Sequence, residues 1–171
     1  NKRQDNYHNI YSLFLELNYY DEIIYSNCNH FNLTCEGIDV PSDKTNLIYK
    51  AYQLIRSKYR IKHKLSIHLK KNIPIFAGLG GGSSNAATTL LALNKIWSLN
   101  LNNKELEKLG LELGADVPFF INGELQEIQG VGNILKPLLF KKSCELFFLL
   151  VVPNISVSTK WAYENINKYL N

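Results

Sequence analysis

Pro74-Ile75-Phe76-Ala77-Gly78-Leu79-Gly80-Gly81-Gly82-Ser83-Ser84-Asn85-Ala86-Ala87 is the stretch on which the reading of this chain turns, and four of the five residues from Gly78 to Gly82 are glycine. Without Cβ atoms the backbone can take positive φ and bring successive N–H groups toward one ligand. The run from Ser83 to Leu99 carries Ala86, Ala87, Leu90, Leu91, Leu93, Ile96 and Trp97, a pattern that predicts a core helix. A helix starting directly after the loop points its unpaired amides and its positive dipole end at one place, which suits a phosphate. The alternative is a glycine-rich turn needed only for tight strand-to-helix packing. The preceding strand and the pair Ser83-Ser84, two hydroxyls able to bond phosphate oxygens or the ligand shell of a magnesium ion, favour phosphate. On this reading Gly81→Val would place methyl groups where a phosphate must lie. A Walker A loop is excluded because no lysine precedes Ser83. A dinucleotide fingerprint is disfavoured because Ser83 stands where its third glycine belongs and the chain continues into a second helix, not a strand with a terminal acid.

Around the loop, Leu65, Ile67 and Leu69 alternate with polar residues and predict a strand with one wet face. Upstream, Ile10–Leu15, Glu22–Tyr25 and Phe31–Thr34 are aromatic and β-branched, punctuated by Asn and Asp, and predict strands joined as a meander. Leu47, Ile48, Ala51, Leu54 and Ile55 have helical spacing, giving a helix from Asn46 to about Lys58. Downstream, Asn102 with Glu105 three residues on resembles a capping box, opening a helix that Gly114 can close in a left-handed conformation, with Leu106, Leu109 and Leu113 inward. Leu146–Val152 reads as a continuous apolar strand ended by Pro153, and Ser158 or Thr159 as the start of a final helix with Trp161, Tyr163, Ile166 and Leu170. Strands and helices mix without βαβ alternation, so the fold class is α+β, not a doubly wound sheet.

The chain has 171 residues, with Lys+Arg 19 against Asp+Glu 15, a formal charge of +4. No block of like charge points to nucleic acid or an anionic membrane. At 46% hydrophobic and 20% charged it is expected to be one globular domain, not a disordered or fibrous chain. Its longest apolar run is far short of the roughly 20 residues that cross a bilayer, and residues 1–5 lack a signal-peptide core, so a soluble, cytoplasmic protein is expected, a plastid remaining open. Cys28, Cys35 and Cys144 lack metal-ligand spacing. His30, His63 and His68 share none either.

The pattern Pro-x-x-Ala-Gly-Leu-Gly-Gly-Gly-Ser-Ser-x-Ala-Ala is similar to the second motif of the GHMP small-molecule kinases, which hold ATP phosphates with it. Lys2-Arg3-Gln4-Asp5-Asn6-Tyr7-His8, Asn46-Leu47-Ile48, Gly114-Ala115-Asp116-Val117-Pro118-Phe119-Phe120 and Gly130-Val131-Gly132 resemble, in the same order, one branch of that family. That branch acts on a cytidine-diphosphate-linked methylerythritol, and the resemblance runs from Lys2 to about Tyr163. It implies the family's amino-terminal fold, a ribosomal-protein-like α/β sandwich, over residues 1–153, with residues 154–171 starting the carboxyl-terminal subdomain. It implies ATP and Mg2+ as cofactors, a small-molecule substrate phosphorylated on its 2-hydroxyl in non-mevalonate isoprenoid (terpenoid) biosynthesis, and no nucleic-acid or membrane partner. The oligomeric state is open.

The roles the resemblance implies are these. Asp116 is the base that orients and deprotonates the attacking hydroxyl, although an Asp after Gly is by itself more often a turn residue. Pro74, Ala77, Gly78, Leu79, Gly80, Gly81, Gly82, Ser83 and Ser84 bind the nucleotide, as do Asn46 and Lys71, whose ordinary readings are a helix cap and a solvated charge. Tyr7 and His8 meet the cytidine end, where an aromatic ring can stack and an imidazole can donate and accept. Phe14 and Tyr163 fall where further aromatics surround the base.

The resemblance is broken in places. The family's first strand, with a Lys and an Asn that serve the catalytic Asp, and its third motif would lie outside this chain, which therefore looks like the middle of a longer kinase. Phe76 and Asn6 stand where glycine is usual, and Asn133 where an acid is. Phe76 is the largest change: it would narrow the ATP entrance or pack on the adenine. The alternative function is an inactive, truncated nucleotide-binding fragment with an exposed edge prone to self-association.

Overall fold

The computed structural model describes residues 9–132, 134–138, 147–153, 157, 161, 162 and 165. In chain order the elements are β1 (Ile10–Leu15), β2 (Glu22–Cys28), β3 (Asn32–Gly37), α1 (Leu47–Lys58), β4 (Lys64–Lys71), α2 (Gly81–Ile96), α3 (Asn103–Leu113), α4 (Val117–Asn122), β5 (Leu125–Gly130) and β6 (Ile134–Pro137). This is an α+β arrangement with two three-stranded sheets, ordered β2-β4-β3 and β1-β5-β6.

β4 organises the first sheet. Its residues alternate between buried and wetter positions, with Leu65, Ile67, Leu69 and Lys71 on the buried face, as period-two patterning requires. It pairs antiparallel with β2 and parallel with β3, Ile67 lying opposite both Tyr25 and Leu33. The expected meander is therefore wrong: β4 sits between β2 and β3, and β1 leaves for the other sheet, where it pairs antiparallel with β5 from Ile10↔Gly130 to Leu15↔Leu125. The parallel β3–β4 pair needs a crossover, and α1 supplies it.

Apolar faces of both central helices close over β4. Ile48, Ala51, Tyr52 and Ile55 of α1, and Ala86, Ala87, Leu90 and Leu93 of α2, join Leu65, Ile67 and Leu69 in one core that extends to Leu106, Leu109, Val117 and Ile121. Phe31 stacks on Tyr52 at a centroid distance of 4.2 Å. Truncating a fully buried member such as Leu90 to Ala would cost about 2–5 kcal/mol. Behind α2, the Tyr25 hydroxyl, its pKa pushed up to about 12 by burial, donates to Thr89 Oγ1 at 3.1 Å. Thr89 in turn donates to the Asn85 carbonyl at 2.7 Å, so β2 braces the first half of α2.

The second sheet closes the molecule beside α4. Gln126 of β5 is 1% exposed, its amide donating to the carbonyls of Phe119 at 3.1 Å and Gly123 at 2.7 Å. Phe14 of β1 meets Phe119 edge-on at 5.3 Å.

Three further expectations change. Gly114 ends α3 at φ 173, extended backbone open to any residue, because the chain leaves the helix straight toward Asp116 instead of curling back. α2 begins at Gly81 and ends at Ile96, before the positive-φ residues Ser98 and Asn100. Phe147–Pro153 forms no strand. Phe147 and Leu149 are about nine-tenths exposed, since an apolar run becomes a strand only beside a hydrogen-bonding edge and no described strand pairs with it. The expected final helix falls almost wholly outside the described residues. No helix among them is long and apolar enough to cross a membrane.

Candidate active site

The glycine stretch follows β4 and opens α2. Gly80 is the N-cap, at φ 66, a left-handed conformation that strains any residue with a Cβ; a Cβ there would also stand 2.8 Å from the Phe120 ring. Having no side chain, Gly80 offers no capping acceptor. The first-turn amides of α2 are thus left to an outside acceptor, and no acidic residue stands in that turn to compete for them. α1 differs. Asn46 caps it, Oδ1 accepting from the Ile48 amide at 2.8 Å and Nδ2 donating to the Pro41 carbonyl at 2.6 Å. Both ends of that side chain are engaged in the fold, and Asn46 lies outside the cavity described next.

A cavity of about 340 Å³ opens between β1, the β1–β2 connection, the glycine stretch and α4. Gly78, Leu79, Gly80 and Ser84 line one side, Asp116, Phe119 and Phe120 another, and Phe14, Tyr19 and Tyr20 a third. The phosphate-type loop and Asp116 thus share one space. Gly114 brings them together: a Cβ on it would lie 4.0 Å from Ser83 Oγ, so the α3–α4 corner sits against the start of α2.

Asp116 heads α4, yet its side chain makes no capping hydrogen bond, which leaves the carboxylate available. Partial desolvation beside its apolar neighbours pushes the Asp116 carboxyl above its ordinary value although the residue keeps solvent access; a more basic carboxylate is a better proton acceptor. Glu16 also lines the cavity, but its Oε2 accepts from the Glu124 amide at 3.1 Å.

The expected effect of Gly81→Val changes. A Cβ on it would point inward, 2.9 Å from both Lys71 Nζ and Ile73 Cγ2, so Gly81→Val would collide with packing beneath the helix, not with a phosphate above it. Lys71 is no solvated charge. Its side chain is 3% exposed and paired at 2.5 Å with that of Asp21, whose side chain is 1% exposed. It borders a second, more open hollow with Tyr19, Tyr20, Gly37, Ile38 and Asn72, a wall that Tyr19 and Tyr20 share with the first cavity. Asp21, Tyr19, Tyr20 and Phe120 had no expected role; the pairing of positions 21 and 71 leaves no trace in spacing, whereas two aromatics before an aspartate between strands could have been marked.

Pro74 and Ala77 are half-buried in the loop and Gly82 is exposed at its crest. Phe76 adopts φ 56 and is 62% exposed, so a bulky residue holds a conformation natural to the glycine expected there. Tyr7, His8 and Tyr163, like Asn6, Asn133 and Cys144, lie outside the described residues. Among the described residues no three His, Cys, Asp or Glu side chains cluster as a metal cage. A magnesium ion brought by a nucleotide would be held by phosphate oxygens and the hydroxyls of Ser83 and Ser84, as Mg2+ prefers over an all-protein cage.

Known proteins resemble this chain. Residues 46–124 match the GHMP kinases N terminal domain. The chain is 41% identical to 4-diphosphocytidyl-2-C-methyl-D-erythritol kinase of Thermodesulfovibrio yellowstonii, covering 97% of this chain and 57% of that protein. It is likewise 41% identical to the kinase of the same name from Clostridium perfringens, over 97% of this chain and 58% of that one. A crystal structure of 4-(cytidine 5'-diphospho)-2C-methyl-D-erythritol kinase superposes with a TM-score of 0.68 at 39% identity, covering 80% of this chain and 48% of the other. The chain thus spans little more than half the length of the curated relatives it matches. With its glycine-opened helix and the carboxylate across from it, this chain carries the amino-terminal fold of the GHMP kinases.

Proposed function

We propose that this chain supplies the nucleotide-binding part of an ATP-dependent kinase that phosphorylates the 2-hydroxyl of 4-diphosphocytidyl-2-C-methyl-D-erythritol in non-mevalonate isoprenoid biosynthesis. The observation that carries the reading is the shared cavity, with the uncapped start of α2 on one side and Asp116 on the other.

In this reading the triphosphate lies over the first turn of α2, its charge met by the amides of Gly81, Gly82 and Ser83 and by the Ser83 and Ser84 hydroxyls. Magnesium, when bound with the nucleotide, neutralises phosphate charge. Asp116 accepts the proton of the substrate hydroxyl and holds that oxygen in line with the γ-phosphorus; the new P–O bond forms as the bond to the ADP oxygen breaks. Little covalent chemistry falls to the protein, so positioning and charge stabilisation carry the rate. Phe14, Phe119 and Phe120 give the cavity apolar walls for the organic part of the substrate, and Tyr7, His8 and Tyr163 are assigned to its cytidine end by family likeness. Pro74, Ala77, Gly78, Leu79 and Gly80 shape the phosphate loop.

The test is ADP release, followed by a coupled assay with the cytidine-linked substrate and ATP. Release dependent on both substrates supports the reading. ATP binding without release favours the non-catalytic fragment, and the absence of ATP binding contradicts both.

A further inference from the structure

The Asp21–Lys71 pair lies beneath the loop and takes no part in the chemistry described so far. Asp21 Oδ1 accepts from the amides of Asn72 at 2.7 Å and Ile73 at 2.8 Å, and Oδ2 accepts from Lys71 Nζ at 2.5 Å. One carboxylate therefore fixes both the backbone that leaves β4 and the ammonium at its end. That ammonium reaches the underside of Gly81, the first residue of α2. A cation there is out of place on its own, because the helix start is the positive end of the dipole. It is tolerated because Asp21 neutralises it, and a buried pair with every oxygen engaged keeps its geometry.

We propose that Asp21 is a positioning residue for nucleotide binding. It pins Lys71 against the N-terminal turn of α2 and fixes the exit of β4, so that the loop is held open at the spacing a polyphosphate needs. The proposal rests on the kinase reading of the loop. Gly81 then has its physical reason: only a residue without a Cβ lets the ammonium approach so closely. Tyr19 adds a brace, its hydroxyl donating to the Asn72 carbonyl at 2.7 Å, and the Asn72 side chain returns a hydrogen bond to the Tyr20 carbonyl at 3.1 Å. The β1–β2 connection, which walls the cavity, is thereby tied to the same junction.

The test compares ATP dissociation constants and melting temperatures of the unsubstituted chain, Asp21→Asn, Lys71→Met and the double variant. Each single change leaves one buried charge without its partner and lowers the melting temperature; each weakens ATP at least tenfold. The double variant removes both charges and regains much of the lost melting temperature, while its ATP affinity stays at least tenfold weak. If affinity returns together with melting temperature, the pair is merely structural and the proposal is overturned. Affinity in Asp21→Asn equal to that of the unsubstituted chain overturns it as well. Should Asp21→Asn fail to fold, Lys71→Met and the double variant decide by the same comparison. If the unsubstituted chain binds no ATP, the reading of the loop falls first and the role of Asp21 with it.

Discussion

Two helices of this molecule begin in opposite ways. α3 closes its own start: Asn102 Oδ1 accepts from the Glu105 amide at 3.1 Å, and Glu105 Oε2 accepts from the Asn102 amide at 2.9 Å. α2 begins at a glycine with no capping side chain, no acid in its first turn, and a cavity in front of it. Both helices face the same need, since the first N–H groups of any helix lack intrahelical acceptors. In α3 the sequence meets that need itself. In α2 no side chain meets it, and under the proposed function those amides are the ones a phosphate takes up.

The comparison can be broken from the catalytic side. Asp116→Asn removes the proton acceptor and should lower kcat by about 10²–10⁴-fold, with ATP affinity within about twofold of the original. A large loss of affinity would mean that Asp116 holds the nucleotide and is not the base. The raised Asp116 pKa also sets a sign. Because the base works ionised, kcat/KM should fall on acidification at a pH above that of an ordinary aspartate, and this limb should vanish in Asp116→Asn. Stability runs the other way: the folded state holds its proton to higher pH than the unfolded chain does, so Asp116 costs stability as pH rises through that window.

A smaller effect sharpens the contrast. Gly82 is exposed, and a Cβ on it would touch only Leu47 at 3.5 Å. Gly82→Asp gives α2 the acidic first turn it lacks. It should raise stability by about 0.5–1 kcal/mol through dipole and propensity and weaken ATP by roughly tenfold through repulsion of the phosphates. Stability and affinity moving in the same direction would refute the assignment of this helix start. The smallest effect belongs to α3, where Asn102→Ala should cost about 1 kcal/mol and leave ATP affinity unchanged; thermal melts and ATP titrations of both variants check the pair.

Much of this was readable because local rules dominated. The Asn46 cap, the Asn102–Glu105 box, the alternation of β4 and the glycine stretch are each set by residues a few positions apart. β5 and β6 leave no such mark: the inward position of Gln126 carries a polar residue whose amide donates to the carbonyls of Phe119 and Gly123, and this erases the apolar alternation that marks a strand. The β1–β5 pairing spans more than a hundred residues, and turn residues between β1, β2 and β3 suggested neighbours where sheet order makes none. At Gly81 the sequence reports the need for glycine but not its direction. The cause is the Lys71 ammonium below the helix, itself placed by an aspartate fifty residues earlier.

The most direct measurement is an amide-resolved NMR titration with ATP. The account predicts that the largest shifts fall on Gly78 to Ser84, with Asp116 following, while Asn103 to Leu106 at the start of α3 stay still. Shifts that leave Gly78 to Ser84 unmoved as ATP saturates the protein would contradict it.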